Sequence, residues 1–438
     1  MAKRQSAAAE HKQAPQRFRK RRARAKAKVE DPQAEEVRRT LGLGVVQAHA
    51  AGVDIGSRSH GVCVGEGASR EFPAPTDGLH ALVAHVREQQ VTTLAMESTG
   101  VYWIPLYELL ATEGFEVLLV DPGYTRQVTG RPKTERWDCQ WIYRLPSVGL
   151  LAAAFRPDEK TCQLRSYLRQ RANLIRYAGQ HLQHMQKALE QLNLKLTEMI
   201  SDIRGSTGTQ ILRALLRGVR DPHKLAQYRN CHGKARTAAS AQALTGTYRD
   251  EQLFALRQAY AAWQFYQKQR DPIDVQIQQQ LARMKQDRAL PAVKPEQLCH
   301  GRKPQQPGFD VRTALYDVVG IDLTEIEGMC AQTALTIISA IGPEVSKFTT
   351  VKHFCSWLGL CPQIKKTAGG ITSSRTRPGA NRAAAAFRLA AFGLHASKGA
   401  LGAFLRRKKA HLGAPKALTA TAHKLARLVY FALKNGMT

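Results

Sequence analysis

Three short strand patterns follow one another in the first third of the chain, and the connections between them are too short to hold a helix. The first pattern, LGVVQAHAAGVDIG, is an apolar run that ends in an acid and a glycine. The turn SRSH separates it from GVCVGEG, which leads into ASREFPAP. Strands joined this closely pair as antiparallel hairpins. The fold therefore has to begin with an antiparallel meander.

Helix and strand patterns alternate after this meander. TDGLHALVAHVREQQ and GVYWIPLYELLATEG have the apolar spacing of three and four that predicts helices, and TTLAMEST between them is strand-like. FEVLLVDP is an unbroken apolar run, typical of a buried strand. The order β-β-β-α-β-α-β-α is that of an RNase H-like sheet. We therefore predict an α/β domain of the RNase H or RuvC type over residues 43–158.

Residues 160–204 carry an apolar pattern that predicts one long helix. Its apolar residues alternate spacings of three and four: Leu182, Met185, Leu189, Leu192, Leu196, Met199 and Ile203. This heptad pattern is typical of a helical core or a coiled coil. A second long helix is predicted over 251–286, so we expect an antiparallel helical hairpin with its tip within 205–250. These segments form a predicted helical domain over 159–298, followed by a linker over 299–312.

The C-terminal region, 313–438, is predicted to be a small, mainly helical domain. LTEIEGMCAQTALTIISAIGP reads as a helix, a glycine turn and a helix, which resembles a helix-hairpin-helix. The turn amides of such an element can bind a phosphate, and an ordinary helical corner is the alternative. KKTAGGITSSRTRPGANRAAAAFRLAA predicts a Gly-rich basic loop that leads into an Ala-rich helix.

The charge distribution points to a polyanionic partner. The net charge is +30, and residues 1–28 alone hold eleven Lys/Arg and one acid. We expect residues 1–42 to be a disordered basic arm. Residues 345–438 carry seventeen Lys/Arg and no Asp or Glu. A folded segment of this kind repels itself unless a polyanion such as nucleic acid neutralises it.

Other features of the composition argue against a membrane or secreted protein. No apolar run reaches the roughly 18 residues of a membrane span, and no apolar stretch follows the charges at the N-terminus. The eight cysteines show no CxxC or zinc spacing. We therefore expect reduced structural thiols in a cytoplasmic setting.

Four carboxylates are candidates for a metal site. Asp54 ends the first strand in AGVDIG, and Glu97 ends the fourth strand in AMESTG. In an RNase H-like sheet these two strands are neighbours, so both side chains project from one edge. Glu135 and Asp138 stand three apart in KTERWDCQW, on a helix expected to cross that edge. Such hard oxygen ligands suit Mg²⁺ or Mn²⁺. Asp121 is a rival ligand, although Asp-Pro-Gly is more simply a turn.

The motifs AGVDIG, AMESTGVYW and KTERWDCQW resemble those of the DEDD transposases of bacterial insertion sequences, the family of bridge-RNA-guided recombinases. LGLCPQIKKTAGGITSSRTRPGANRAAAAFRLAA resembles the second signature of the same family. The resemblance covers residues 45–435. It implies a RuvC-like domain, a coiled-coil domain and a C-terminal transposase domain, in a bacterial, nucleoid-associated protein.

The resemblance also implies partners and a mechanism. It implies a homotetramer, or dimer of dimers, that binds a structured noncoding bridge RNA together with target and donor DNA. Acids of one protomer and a C-terminal serine of another form a composite site that uses Mg²⁺, and the serine attacks phosphorus. Asp54, Glu97 and Asp138 match the family pattern, whereas Glu135 stands where Asp is usual. Thr367 occupies the serine position.

Residues around Thr367 extend these expectations. Ser373 and Ser374 are alternative nucleophiles, because the β-methyl group of a threonine restricts its rotamers. Basic residues flank the position and are expected to hold the scissile phosphate: Lys365, Lys366, Arg375, Arg377 and Arg382. A second basic run is expected to bind nucleic acid or to be solvated surface: Arg406, Arg407, Lys408 and Lys409.

Two other functions remain compatible with the sequence. One is a metal-dependent RuvC-like nuclease that cuts DNA junctions with water. The other is an RNA- or DNA-binding relic that has lost activity through the departures at Glu135 and Thr367.

Overall fold

The computed structural model describes most of the chain from residue 49 onward. The described ranges are 49–65, 69–98, 100–120, 139–140, 142–143, 154–228, 235–285, 305–367, 370–379 and 381–436. The predicted arm over 1–42 lies outside them. Contacts within the chain divide it into two compact units at the Arg156–Pro157 junction. Within the described ranges, no helix is both long and apolar enough to span a membrane.

The first unit is built on a five-stranded mixed sheet. Its strands are β1 (Ala50–Ile55), β2 (Ser59–Val64), β3 (Arg70–Pro73), β4 (Thr93–Glu97) and β5 (Glu116–Val120), and its helices are α1 (Thr76–Glu88) and α2 (Trp103–Thr112). The spatial order is β3-β2-β1-β4-β5. β1–β2 and β2–β3 pair antiparallel, whereas β1–β4 and β4–β5 pair parallel. This confirms the predicted meander followed by crossovers and the RNase H-like fold.

The two faces of the sheet pack against different parts of the chain. On one face, Val53 and Met96 are fully buried in a core shared with Leu82 of α1 and Leu106 of α2. On the other face, Ala95 and Val120 pack against Ile142. Alternating residues of a strand point to opposite faces, so the apolar pattern of each strand decides which of its residues face α1 and α2.

A long helical hairpin organises the second unit. α3 (Glu159–Gln191) packs along α8 (Asp250–Lys268) and α9 (Arg270–Met284). Arg171 forms a salt bridge with Asp274, and further along α3 the ring of Tyr177 lies 5.4 Å from that of Tyr266. Residues further along α3 therefore contact residues earlier in the α8–α9 segment, so the two arms are antiparallel. This confirms the predicted antiparallel hairpin.

The continuous helix predicted over 160–204 is wrong at its C-terminal end. α3 ends at Gln191, and Asn193 takes a left-handed conformation with φ of 58°. Short helices fill the tip: α4 (Leu196–Met199), α5 (Ser206–Leu216), α6 (Pro222–Gln227) and α7 (Ala235–Ala243). The apolar residues of the heptad pattern from Met185 to Ile203 nevertheless share one buried cluster. Their spacing correctly predicted which side chains are buried. It was wrong to infer one unbroken helix from that spacing, because α3 ends at Gln191.

The second helix, predicted over 251–286, is also divided. α8 ends at Lys268 and α9 begins at Arg270. Pro272 lies in the first turn of α9, where a proline lacks the amide hydrogen that a continuous helix would need. The break follows from this missing donor.

The rest of the second unit is mainly helical. Its elements are α10 (Val311–Val319), α11 (Ala331–Ile341), α12 (Val351–Trp357), β6 (Lys365–Thr367), β7 (Gly370–Ser373), α13 (Arg382–Gly393), α14 (Ala400–Leu412) and α15 (Ala414–Asn435). The core includes Tyr430, whose hydroxyl donates to the carbonyl of Phe348 at 3.0 Å. Phe354 and Phe387 are fully buried.

The structure of the second unit differs from the sequence-based predictions at three places. α10 begins at Val311, inside the predicted linker over 299–312, because Asp310 caps it by accepting from the amides of Arg312 and Thr313. The helix expected in LTEIEG is a single 3₁₀ turn, Leu323–Glu325. The Gly-rich loop before α13 contains an antiparallel hairpin, because β6 pairs with β7.

Candidate active site

Asp54 and Glu97 lie side by side on neighbouring parallel strands. Val53 of β1 pairs with Met96 of β4, and Asp54 and Glu97 are the next residues on the two strands. Neighbouring strands lie about 4.8 Å apart. Because Val53 and Met96 face the core with α1 and α2, alternation turns both carboxylates to the opposite face. Both residues are half-buried.

The segment that covers this face follows the KTERWD motif directly. The Cys139 thiol donates to the carbonyl of Gly52 at 3.1 Å and to that of Gly61 at 3.3 Å. A Cβ atom on Gly52 would overlap the Cys139 carbonyl and the Tyr143 amide nitrogen. Gly52 is two residues before Asp54 and so faces the same side of the sheet. The chain at Cys139 therefore packs on the sheet face from which Asp54 projects.

Cys139 itself is a structural thiol. A hydrogen bond with the Cys63 thiol and burial raise the pKa of Cys139 far above its ordinary value, and the negative charge of Asp54 acts in the same direction. A thiolate is the reactive form of cysteine, so Cys139 stays protonated and unreactive at neutral pH. Its role is to hold its segment against the sheet.

The remaining predicted ligands lie outside the described residues. Glu135, Asp138 and the rival Asp121 all fall there. Within the described ranges, no three His, Cys, Asp or Glu side chains are grouped closely enough to hold a metal ion. Asp54 and Glu97 supply two hard oxygen ligands, the donor type that Mg²⁺ prefers, and a complete site needs further ligands.

The second group of candidate residues lies on the β6–β7 hairpin in the other unit. Thr367 ends β6, pairs with Gly370 across the tip of the hairpin, and is exposed. Ser373 pairs with Lys365 three residues further down β7, and its hydroxyl accepts from the Arg375 amide at 3.4 Å. Lys365 stands two strand residues, about 7 Å, before Thr367. Thr367 and Ser373 therefore occupy different positions along the hairpin.

The basic residues predicted around Thr367 are exposed. They are Lys365, Lys366, Arg375, Arg377 and Arg382. Arg382 is the first residue of α13, whose N-terminus is capped by Asn381 accepting from the Ala384 amide at 3.1 Å. Exposed cations next to a hydroxyl can position a phosphodiester for attack.

The second basic run divides into two roles. Arg406 donates to the carbonyl of Ser397 at 2.6 Å and to that of His395 at 3.4 Å, so it holds the chain before α14. The cations of Arg407 and Lys408 instead lie 5.9 and 5.7 Å from the centre of the Phe404 ring. The nucleic-acid contact predicted for both arginines therefore suits Arg407 better than Arg406.

Arg169 is close enough to Arg382 for their positive charges to interact, which the sequence did not predict. Burial lowers the pKa of this α3 residue, and so does the positive charge of Arg382. Two guanidinium groups that repel each other favour an anion between or beside them. No local pattern signals this pair, because the two residues are more than two hundred positions apart.

Comparison with known protein families explains why these two groups occur in one chain. The transposase family model DEDD_Tnp_IS110 matches residues 51–194, which include Asp54 and Glu97. The model of the transposase IS116/IS110/IS902 family matches residues 322–400, which include Thr367. No curated protein matches the chain. The two matches cover about half of the chain, in the order in which its α/β sheet and its basic hairpin occur. The chain therefore belongs to the IS110 family of DEDD transposases, enzymes that bind and recombine DNA.

Proposed function

We propose that the chain is an RNA-guided recombinase of an insertion sequence, with a composite site made of metal-binding carboxylates and a hydroxyl nucleophile. The observation that carries the proposal is the register of β1 and β4, which aligns Asp54 with Glu97 on one face of the sheet. Two aligned carboxylates repel each other unless a cation neutralises them.

Glu135 and Asp138 complete this acidic group in the proposal. The packing of Cys139 on Gly52 supports it, since Asp138 is the preceding residue and Glu135 stands three before that. These four residues would hold Mg²⁺, or Mn²⁺ in its place. A bound divalent ion would supply positive charge to the phosphoryl group. The protein's part is to fix the carboxylates and orient the phosphate.

Thr367 is the proposed nucleophile. Its hydroxyl oxygen loses its proton and forms a bond to phosphorus, while the bond from phosphorus to the leaving sugar oxygen breaks and that oxygen gains a proton, which links the protein to one DNA strand. Attack by the sugar hydroxyl of a second strand then releases Thr367 and rejoins the DNA. The exposure of Thr367 at the tip of the hairpin supports this role, because a nucleophile must reach a phosphate held on another molecule.

The RNA partner and the tetramer belong to the same proposal. The positive charge is far larger than one DNA site requires: 65 Lys/Arg stand against 35 Asp/Glu. A structured RNA recognised through its backbone would neutralise much of this excess. In a tetramer, the acids of one protomer meet Thr367 of another.

Trapping of a covalent adduct tests the proposed function. The full chain, purified with its RNA, is incubated with Mg²⁺ and a nicked duplex carrying an end of its insertion sequence. An adduct that resists denaturant is expected with the native chain and is expected to disappear with Thr367→Ala. Thr372→Ala is the matched control on the same hairpin, because the Thr372 hydroxyl donates to the Lys365 carbonyl at 3.0 Å.

The same assay separates the competing functions. Loss of the adduct with Ser373→Ala or Ser374→Ala, but not with Thr367→Ala, would move the nucleophile to that serine. Cleavage without any adduct would identify a RuvC-like nuclease that uses water. Absence of Mg²⁺-dependent cleavage on every DNA substrate would identify an inactive nucleic-acid-binding relic.

A further inference from the structure

The β6–β7 hairpin is exposed on both of its faces. All of β6 is exposed, and so is all of β7 except the half-buried Ser373. Backbone hydrogen bonding continues beyond β6 and β7 at the end away from the tip, where the Gln363 amide donates to the Arg375 carbonyl at 2.8 Å. A two-stranded hairpin in water is only marginally stable by itself. Its exposure suggests that another molecule covers it when the protein functions.

One face of the hairpin carries large apolar side chains. Ile371 is 63% exposed, and Ile364, just before β6, is 56% exposed. Ile371 pairs with Lys366, so these two side chains share a face. Ile364 stands two residues before Lys366, on the other side of the register shift between Lys365 and Lys366. The hairpin therefore presents Ile371 beside Lys366, with a second exposed isoleucine, Ile364, at its base.

The positive charge around the hairpin indicates what kind of molecule covers it. Lys365, Lys366, Arg375 and Arg377 flank the isoleucines, and the chain has no Asp or Glu after Glu344. A protein surface would gain nothing from this concentration of cations unless it were strongly acidic. Duplex DNA, on which transposases act, offers both the phosphates for the cations and an apolar base stack for the isoleucines.

The position of Thr367 relative to Ile371 fits this occupant. Lys366–Ile371 and Thr367–Gly370 are successive pairs of the ladder, so Thr367 lies one residue closer to the tip and on the opposite face. One strand residue advances about 3.4 Å, which equals the rise between stacked base pairs. The hairpin can therefore meet the base stack with one face and the sugar–phosphate strand with the other, one step apart.

We propose that the hairpin is a wedge for duplex DNA, in which Ile371, supported by Ile364, enters the base step beside the phosphate that Thr367 attacks. The scissile strand then passes the tip on the Thr367 face. Apolar side chains inserted in this way unstack the base step and kink the duplex. The proposal deepens the proposed function and rests on it, because it assigns Ile371 to opening the site of attack.

Base unstacking tests the wedge separately from binding. The full chain with its RNA carries Thr367→Ala to prevent reaction, and the duplex carries an end of the insertion sequence with 2-aminopurine placed at each position in turn. We expect 2-aminopurine fluorescence to rise severalfold at one step. Ile371→Ser is expected to reduce this rise at least about fivefold. DNA affinity by anisotropy should change less than about tenfold, because phosphate contacts dominate it.

Two variants serve as controls. Leu389→Ser removes an equally exposed apolar side chain (67% exposed) from α13 and should leave the fluorescence unchanged. Ile371→Leu should retain most of the signal. Circular dichroism should show the same helix content for all variants, since both positions are exposed.

The remaining outcomes overturn specific statements. An unchanged fluorescence rise in Ile371→Ser that still binds DNA would overturn the wedge and leave the recombinase intact. A smaller oligomer in Ile371→Ser alone, by sedimentation, would show that a second copy of the chain covers this face. Failure of every variant to bind the duplex would overturn the proposed function itself.

Discussion

A Cβ atom on Gly52 would overlap the backbone nitrogen of Tyr143. The glycine thereby lets the segment that begins at Cys139 lie directly on β1, two residues from Asp54. The conformation of Gly52 is that of an ordinary strand, so the requirement is for space. The candidate metal site depends on this contact, because the segment follows Glu135 and Asp138 directly.

Gly52→Ala should push the segment away from the sheet. We expect the free energy of unfolding to fall by about 1–3 kcal/mol, as for overpacked cores, together with a loss of DNA cleavage. Urea denaturation measures the first effect. Gly61→Ala is the matched control on β2, since its Cβ would lie 3.4 Å from the Ser69 hydroxyl and 4.0 Å from the Asp54 Cβ. Equal destabilisation by both variants would contradict the packing described here.

Asp54→Asn should stop catalysis without weakening nucleic-acid binding. We expect cleavage to fall by more than about a hundredfold, because even the groups that hydrogen-bond to metal ligands contribute about 10–100-fold to activity. RNA and DNA affinities should stay near those of the native chain, since cations elsewhere provide them. Glu116→Gln, at the opposite end of the parallel strands, keeps an acceptor for Thr93 and should cleave normally. Parallel losses of binding and cleavage in Asp54→Asn would argue against a metal site.

Thr367→Ser should be at least as active as the native chain. Serine keeps the hydroxyl and lacks the methyl group that restricts the threonine rotamer, so the rate of adduct formation should stay equal or rise. Quenched time courses on denaturing gels measure that rate. A large loss of rate in Thr367→Ser, with Thr372→Ser unchanged, would indicate that the methyl group positions the nucleophile.

Replacing only one residue of the buried Arg171–Asp274 salt bridge should lower the free energy of unfolding strongly. Both residues are 3% exposed, and the second oxygen of Asp274 accepts from the Gly308 amide at 2.9 Å. Arg171→Met should lower the free energy of unfolding by about 3–5 kcal/mol, because it removes the salt-bridge partner that Arg171 provides to a buried carboxylate. Adding Asp274→Asn removes that charge, retains an acceptor for Gly308, and should recover part of the loss. This explanation would be contradicted if the effects of the two substitutions on the free energy of unfolding simply added in the double variant.

Glu327 should make the stability of the C-terminal region depend on pH. Its carboxylate accepts from the Ser397 hydroxyl and from the amides of Leu401 and Gly402 at the start of α14, and these bonds hold the pKa of Glu327 below its ordinary 4.5. The stabilisation is therefore complete above pH 4.5 and is lost as the pH falls through the lower value of the folded state.

Glu327→Gln tests this dependence. At pH 7 the variant should be less stable by about 1 kcal/mol, as for the loss of a helix cap. The difference should shrink as the pH falls below 4.5, because the native glutamate is then also neutral. Thermal unfolding over this range measures it. A difference that stayed constant with pH would show that charge is not the cause.

Local patterns in the sequence were sufficient for the sheet and for the placement of Asp54 and Glu97 on neighbouring strands. Strand order follows from the closely spaced hairpins and the later crossovers, and Asp54 and Glu97 stand at strand ends that such an order makes neighbours. The same patterns were misleading where one residue interrupts an element, as Asn193 does after α3. Apolar spacing predicts which side chains are buried. It does not predict a turn in the backbone when the same side chains stay buried in one cluster on both sides of that turn.

Amino-acid order alone determined the fold of the first unit, the excess of positive charge and the family, because each depends on composition or on residues close together in the chain. Only the tertiary structure decided that Cys139 packs on Gly52, that Arg169 approaches Arg382, and that Ile371 and Thr367 occupy opposite faces of one hairpin. Each of these depends on the choice of a distant partner or on the register of a strand pair. Many pairings have nearly equal local energies, and the packing of the whole unit selects among them.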